Sequence, residues 1–284
     1  MAKSAFLKSS IAKKYWMALT GLFLCLFLVG HLAGNLQLLA TLWHTTPDDA
    51  ALHFNQYALF MTTNPAVKIL SYVTYISILF HAIDGIILTL QNKKARPINY
   101  AMNKPERNTI WASRNMAVLG TVILVFIVSH MVSFWAKMHF DENMPLQTIT
   151  INAGGAPQEF YVTTDGGYIP KAQVDQGAYK IHDRTSFYDG QANVKIKEGY
   201  KDLYKITIEF FKQPTYGLPF TILYVLSMIV LGFHLFHGFG SAFQSLGANN
   251  PKYNGLIKNI GKGFSIIVPA LFAIIPLYIH FLLK

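Results

Sequence analysis

Cysteine and charged residues are both scarce in this sequence. Cys25 is the only cysteine among 284 residues, and 13% of the residues are charged, against roughly a quarter in an ordinary soluble domain. One thiol cannot build a disulfide framework, a thiolate zinc site, an iron–sulfur cluster or the C-x-x-C-H attachment of a c-type haem. Any metal bound by this chain must therefore use other ligands.

Hydrophobic residues are abundant instead, at 52% of the chain, which argues against a water-soluble protein. Lys and Arg together number 24 and Asp and Glu 14, so the formal net charge is +10. Such a charge can indicate nucleic-acid binding, but here the bases lie between long apolar runs. We therefore expect a lipid bilayer as a partner, and no nucleic acid.

Five apolar runs are long enough to cross the hydrocarbon core of a bilayer, which takes about 20 helical residues. They extend roughly from Tyr15 to Ala40, Ala66 to Leu90, Trp111 to Trp135, Leu218 to Phe239 and Gly263 to Leu283. Tryptophan and tyrosine lie near several of their ends, as in the aromatic belts of membrane proteins. The sequence thus predicts five transmembrane helices.

The basic residues indicate how these helices are oriented. They concentrate before the first run, between the second and third, and between the fourth and fifth, where Lys252, Lys258 and Lys262 lie. Basic connections favour the cytoplasmic side. We predict a multi-pass membrane protein, with its amino terminus in the cytoplasm and its carboxyl terminus outside.

One connection, between the third and fourth runs, is long enough to be a small outer domain. Alternating residues at 147–151 and 159–163, with a turn at 165–167, indicate strands, and 198–211 has the pattern of an amphipathic helix at the outer interface. The predicted division is 1–137 for helices one to three, 138–214 for the insert and 215–284 for helices four and five. The predicted fold class is an all-α membrane protein, a four-helix bundle plus a fifth helix, with a small strand-containing outer insert.

Each of the first four runs has a histidine at a similar depth, namely His31, His81, His130 and His234 among the ten in the chain. Each is about fifteen to nineteen residues into its run, or roughly 24 Å along a helix. Because successive runs cross in opposite directions, His31 and His130 should lie near the outer face, and His81 and His234 near the cytoplasmic face. Any one of them has an alternative explanation as a hydrogen bond between helices.

Buried imidazoles at matched depths are typical of a binding site, because an unpaired imidazole in hydrocarbon is costly. Two facing imidazoles can fill both axial positions of a haem iron, which makes an electron carrier. The sequence therefore predicts two haems, an inner one bound by His81 and His234 and an outer one bound by His31 and His130. Gly34, Gly85 and Gly238, close to three of these histidines, would leave room for a flat macrocycle.

The propionates of the inner haem would need cations or hydrogen-bond donors near the cytoplasmic surface. Lys14, Arg114, His237 and Ser241 occupy the cytoplasmic ends of the runs and are candidates. The two cations are equally well explained as ordinary positive-inside anchors. His237 is also the main alternative to His234 as an iron ligand, but it lies nearer the cytoplasmic edge than His81 does.

The segments around these histidines resemble a known family. The matching stretches are S-S-I-A-K-K-Y-W-M-A-L-T-G from Ser9, H-L-A-G-N-L from His31, H-A-I-D-G-I from His81, W-A-S-R-N-M from Trp111 and F-H-L-F-H-G-F-G-S-A-F-Q-S-L-G from Phe233. They are similar to the membrane cytochrome b subunit, of the five-helix, two-haem type, of succinate:quinone oxidoreductases and quinol:fumarate reductases. The resemblance covers the five runs and not the outer insert.

The resemblance implies two haems b, with the same pairing of histidines as the depth argument, and a cytoplasmic flavoprotein subunit and iron–sulfur subunit as partners. This chain would then be the membrane anchor of succinate dehydrogenase, a tricarboxylic acid cycle complex, in the bacterial cytoplasmic membrane, and not its flavin-containing catalytic subunit. It would pass electrons from the iron–sulfur subunit through the inner and outer haems to a quinone, for which the family suggests menaquinone. The reverse direction, quinol:fumarate reduction, stays open.

A quinone near the outer haem needs hydrogen-bond partners for its carbonyl groups. Asn35, Gln37 and His44 follow His31 toward the outer surface and are candidates, although ordinary polar residues at a helix end would look the same. A different class of function, a transporter that relays protons through buried histidines without haem, is the alternative. Such a relay usually has acids along its path, and Asp84 is the only acid inside a run.

Overall fold

The computed structural model describes residues 9–39, 42, 46–95, 98, 104, 107, 109–152 and 155–283. Its helices are α1 (Ser10–Asn35), α2 (Pro47–Thr63), α3 (Pro65–Lys94), α4 (Met116–His130), α5 (Lys171–Asp175), α6 (Leu203–Lys212), α7 (Gly217–Ser245) and α8 (Pro251–Leu277). A 3₁₀ turn, Leu36–Leu38, extends α1, and a single helical turn, Trp111–Arg114, precedes α4.

Five stretches of helix are long and apolar enough to cross a membrane, as the sequence predicts. They are Ile11–Leu38, Pro65–Lys94, Met116–Phe140, Gly217–Ser245 and Pro251–Leu282. Their exposed surfaces are rich in leucine, isoleucine, valine and phenylalanine, which suits contact with lipid. This is a multi-pass membrane protein.

The start of the fifth span differs from the prediction. Helix α8 begins at Pro251, so Lys252, Lys258 and Lys262 lie inside the helix and not in the connection before it. Pro251 suits a first helical position because its missing N–H would have no partner there, and the Asn250 side chain accepts from the Lys252 backbone N–H at 2.9 Å. The first turns of α8 are amphipathic, so a search for long apolar runs does not detect that the helix begins here.

Helix α2 lies between the first and second runs, in a segment for which the sequence analysis above predicts no element. Thr46 caps it by accepting a hydrogen bond from the Asp49 N–H at 3.2 Å, and Pro47 occupies the first helical position. Asp48 and Asp49 fall in the first turn, where carboxylates favour the positive end of the helix. These are ordinary helix-start signals, but they precede a segment that is neither strongly apolar nor strongly polar.

The chain divides into two compact units. The first comprises the described residues up to Asn35 together with 69–128 and 222–276, and the second comprises 36–68, 129–221 and 277–283. The first unit thus holds most of α1, α3, α4, α7 and α8. The second holds α2 and the insert between α4 and α7.

Aromatic contacts and small residues join the helices of the first unit. Rings of α4 and α7 meet where Phe126 lies 4.9 Å from Tyr224. On α8, Pro269 has no N–H to donate to the Ser265 carbonyl. Gly232 of α7 lies so close to that carbonyl oxygen that a Cβ added to the glycine would be 3.0 Å from it. Glycine therefore permits α7 to pack directly on the backbone of α8.

The insert consists of two three-stranded antiparallel sheets, ordered β1-β2-β3 and β4-β5-β6. The strands are β1 (Thr148–Ile151), β2 (Gln158–Val162), β3 (Tyr168–Pro170), β4 (Tyr179–His182), β5 (Ser186–Asp189) and β6 (Lys195–Glu198). The two predicted strands match β1 and β2 within a residue, and the turn at 165–167 is confirmed. Leu146, Ile169 and the fully buried Phe187 form the core of the insert.

The predicted amphipathic helix exists, but it is shorter and packs on protein. Residues up to Glu198 belong to β6, and α6 begins only at Leu203. The α6 side chains Tyr204 and Phe211 are buried, and the ring of Tyr204 lies 6.1 Å from that of Phe54 on α2. The apolar face of α6 is therefore covered by α2 within the second unit, where the sequence had predicted the membrane interface.

A buried polar network connects α2 to the insert. Asn55, 1% exposed, donates through Nδ2 to Gln147 Oε1 at 3.1 Å and to Asp202 Oδ1 at 2.9 Å, and its Oδ1 accepts from the Tyr204 N–H at 3.0 Å. Asp202 also caps α6 by accepting from the Lys205 N–H at 2.9 Å. Burial raises the pKa of the Asp202 carboxyl above its ordinary value.

Candidate haem site

His81 of α3 is held by the backbone of α1. Its Nδ1 lies 3.2 Å from the Met17 carbonyl oxygen and 3.3 Å from Thr20 Oγ1. A carbonyl oxygen has no hydrogen to give, so the contact is a hydrogen bond only if Nδ1 carries the proton and donates it. The lone pair of His81 is then on Nε2, which is the state that a metal-binding imidazole needs.

The ring next to His81 is that of His234 on α7. The two ring centres are 6.2 Å apart and the rings are inclined by 71°. Two metal–imidazole bonds of about 2 Å in line would separate the ring centres by about 6 Å, once the distance from nitrogen to ring centre is included. The pair that the depth argument predicts is thus brought together, with a ring separation comparable to that of two imidazoles that hold one iron.

His234 differs from His81 in its hydrogen bonding. Its Nδ1 is buried and has no hydrogen-bond partner among the described residues. A buried imidazole nitrogen without a partner costs free energy, and such positions often accompany a ligand or an ordered water. His81 and His234 are therefore chemically suited to hold a haem iron, and Nδ1 of His234 has no partner among the described residues.

The four propionate candidates are located at the helix ends predicted for them. Lys14 on α1 and Arg114 are exposed, while His237 and Ser241 on α7 are half-buried. The Arg114 guanidinium donates through Nη1 to the Thr109 carbonyl at 2.6 Å, which leaves its other N–H groups available. His237 lies one turn beyond His234, but it is the His234 ring that contacts His81.

His31 lies in α1, in the first unit. Its ring stacks on Phe27, with centres 5.3 Å apart and planes inclined by 14°, and lies 5.6 Å from Phe272 of α8. Asn35, predicted as a quinone ligand, lies one turn further on and has its Nδ2 2.8 Å from the His31 carbonyl and 3.4 Å from the ring Nδ1. His31 is thus enclosed by aromatic rings.

His130 is the last residue of α4, in the second unit, and the helix changes form directly after it. Residues Met131–Ala136 are π-helical before an α-helical turn resumes at Lys137–Phe140. Short π segments inside membrane helices occur often at functional sites. Because His31 and His130 belong to different units, the outer pair stays a prediction from the sequence.

The remaining quinone candidates give no further support. Gln37 is half-buried in the 3₁₀ turn that follows α1, and His44 lies outside the described residues. His280, near the end of the fifth span, has a hydrogen-bond partner in α6. Its Nδ1 lies 2.6 Å from the Phe211 carbonyl, the last turn of α6. Asp84, one turn beyond His81, is buried in α3.

The glycines predicted near the inner pair have open space or only a distant side chain beside them, and two other glycines lie against the rings. Beside Gly85 there is open space, and Gly238 meets only the end of the Met116 side chain at 3.9 Å. The glycines that lie against the rings are Gly21 on α1, next to His81, and Gly120 on α4, next to His234. They are far from the histidines in sequence, so only the packing of the helices reveals them.

Adding a methyl group at Gly21 is expected to weaken the inner haem site. An alanine Cβ there would lie 3.1 Å from His81 Cε1, so we expect the ring to shift by a few tenths of an ångström and its contact with the Met17 carbonyl to be disturbed. Disturbing such a partner of a ligand typically costs about 10-fold or more in metal affinity. We expect Gly21→Ala to release one haem about 10-fold faster to an excess of a competing haem-binding protein.

Gly120→Ala is the matched control, because its Cβ would meet His234 Cε1 at 3.6 Å, an ordinary contact. It should release haem at nearly the parent rate. Equal release from both variants would mean that the close approach of α1 to His81 has no part in binding.

Among the described residues, no group of three or more His, Cys, Asp or Glu side chains is arranged to hold a metal ion. A haem with two axial histidines needs no such group, because the porphyrin supplies the other four ligands. Comparisons of the chain with protein-family models, with curated proteins and with solved structures find no match.

Proposed function

We propose that this chain is the di-haem cytochrome b subunit that anchors a succinate:quinone oxidoreductase in the cytoplasmic membrane. The observation that supports this best is the pair His81 and His234, which lie on facing membrane helices with ring centres 6.2 Å apart. The family resemblance of the same segments gives the proposal its substrate and partners. Held by His81 and His234, a haem would supply one-electron transfer.

The chain's own residues would hold and insulate this group. His81 presents Nε2 because its Nδ1 donates to α1, and the largely apolar helices exclude water from the pair. Lys14, Arg114, His237 and Ser241 would bind the propionates of the inner haem at the cytoplasmic end. His31 and His130 would hold the outer haem, with a quinone, in this family menaquinone, close to it.

The orientation follows from the basic residues, with the amino terminus in the cytoplasm and the carboxyl terminus outside. The partners would be a flavoprotein and an iron–sulfur subunit on the cytoplasmic face. The main alternative within this class is the reverse reaction, quinol:fumarate reduction, by the same arrangement. A haem-free proton relay is less well supported, because α1, α4, α7 and α8 contain no Asp or Glu and α3 contains only Asp84.

The proposal predicts that the chain purifies from its own membranes together with a flavin-containing and an iron–sulfur protein. Adding succinate to those membranes should reduce the b-type haem, while adding fumarate should not. Turnover measured with succinate plus quinone, and with quinol plus fumarate, decides the direction. A chain that purifies alone, with haem that succinate does not reduce, would contradict the assignment to this complex.

A further inference from the structure

Thr20 of α1 is a buried hydroxyl in the middle of a membrane span, at 6% exposure. It donates to the backbone of its own helix, with Oγ1 2.9 Å from the Trp16 carbonyl and 3.1 Å from that of Met17. The hydroxyl hydrogen of Thr20 is used in these bonds, but the lone pairs of its oxygen can still accept a hydrogen bond. They face His81 on α3, whose Nδ1 is 3.3 Å away.

Three residues of α1 form one surface toward His81. Met17, Thr20 and Gly21 are spaced by three and four positions, so they share a face of the helix. The missing side chain at Gly21 uncovers the Met17 carbonyl, which in a helix is normally screened by the residue four positions later. We call these three residues the α1 seat. Within it, the Nδ1–H of His81 is shared between the Met17 carbonyl and Thr20 Oγ1.

We propose that Thr20 is a positioning residue that sets the tautomer and the donor strength of His81 toward the iron of the inner haem. This inference rests on the proposed function and adds to it the residue that tunes one particular ligand. An acceptor at Nδ1–H fixes the ring and makes its other nitrogen a stronger base. A stronger donor stabilises ferric iron over ferrous iron and so lowers the reduction potential of that haem.

The effect is specific to one ligand of one haem. Nδ1 of His234 finds no hydrogen-bond acceptor among the described residues, so only His81 has a seat of this kind within the inner pair. Removing the Thr20 hydroxyl leaves the Met17 carbonyl as the sole acceptor for the His81 Nδ1–H. The ring is then held less firmly and its Nε2 is a weaker donor.

The test is a set of three variants in the complete, haem-loaded protein. Thr20→Val removes the hydroxyl and keeps the shape of the side chain, and Thr20→Ser keeps the hydroxyl. Thr74→Val is the matched control, because Thr74 on α3 is buried to a similar degree and its hydroxyl bonds only the Leu70 carbonyl at 2.9 Å. The readouts are a potentiometric titration of each haem and the g-values of the ferric low-spin signals.

Thr20→Val should move the midpoint potential of one haem to a more positive value and shift its g-values, with the other haem unchanged. Thr20→Ser and Thr74→Val should match the parent in both readouts. Unchanged potentials in Thr20→Val, or the same shift in Thr74→Val, would overturn the inference while leaving the haem ligands intact. A parent protein without haem would instead overturn the proposed function itself.

Discussion

Replacing His81 with alanine is expected to leave the purified protein with one haem in place of two. The reason is that an iron held by two imidazoles loses an axial bond, and no other described histidine ring contacts His234 from α3. His234→Ala should remove the same haem. His31→Ala and His130→Ala should each remove the other one. Haem content per chain and the difference spectrum of the remaining haem are the measurements.

His237→Ala is the discriminating control, because His237 lies on the same helix one turn from His234. It should keep both haems, with at most a change in the binding of the propionates. His81→Met provides a variant that retains a possible ligand, and we expect it to keep the haem at a more positive potential. If His237→Ala lost the inner haem and His234→Ala kept it, the assignment of the ligand on α7 would be wrong.

Replacing Asn55 with aspartate is expected to destabilise the second unit strongly. Asn55 donates both of its Nδ2 hydrogens, to Gln147 Oε1 and Asp202 Oδ1, and a carboxylate would put acceptors against these acceptors. The loss of two buried hydrogen bonds and the added repulsion should cost about 3 kcal/mol or more at neutral pH. Limited proteolysis of the outer insert should then be about 100-fold faster, at about 1.4 kcal/mol for each factor of ten.

The control is a second asparagine, Asn64, at the end of the same helix, α2. Asn64 uses only its Oδ1, which accepts from the N–H groups of Ala66 and Val67, so Asn64→Asp preserves its contacts and adds charge at the start of α3. This variant should be cleaved at the parent rate. Comparable sensitivity in both variants would show that the buried network does not hold α2 to the insert.

The pH dependence of this network has a definite sign. Burial raises the pKa of Asp202 in the folded state, so its protonation favours folding. That contribution is complete below the unfolded value of about 3.9 and is lost as the pH rises through the higher folded pKa. Asp202→Asn keeps an oxygen for the cap of α6 and removes the titration. The rate of cleavage should therefore rise with pH above about 4 in the parent and less steeply in this variant.

The sequence was sufficient for features that depend on local composition. Long apolar runs predicted the five spans, and alternation with a glycine turn predicted β1 and β2. Counting residues from the membrane surface was enough to predict that His81 and His234 lie at the same depth, because an α-helix has a constant rise per residue. Such features can be predicted from the local sequence, without knowledge of which helix packs against which.

Features set by packing between distant segments were not accessible in this way. The Gly21 and Gly120 contacts depend on which helix faces each imidazole, and nothing near those glycines in sequence indicates it. The burial of Asn55 against Gln147 and Asp202 joins three segments far apart in the chain. The start of α8 at Pro251 and the existence of α2 had local capping signals, which a hydropathy argument does not weigh.

The most direct test of this account is the reduced-minus-oxidised visible spectrum of the purified chain in detergent or lipid, with the haem content determined on the same sample. The account predicts b-type difference bands and two haems per chain. A flat difference trace with no haem would contradict it.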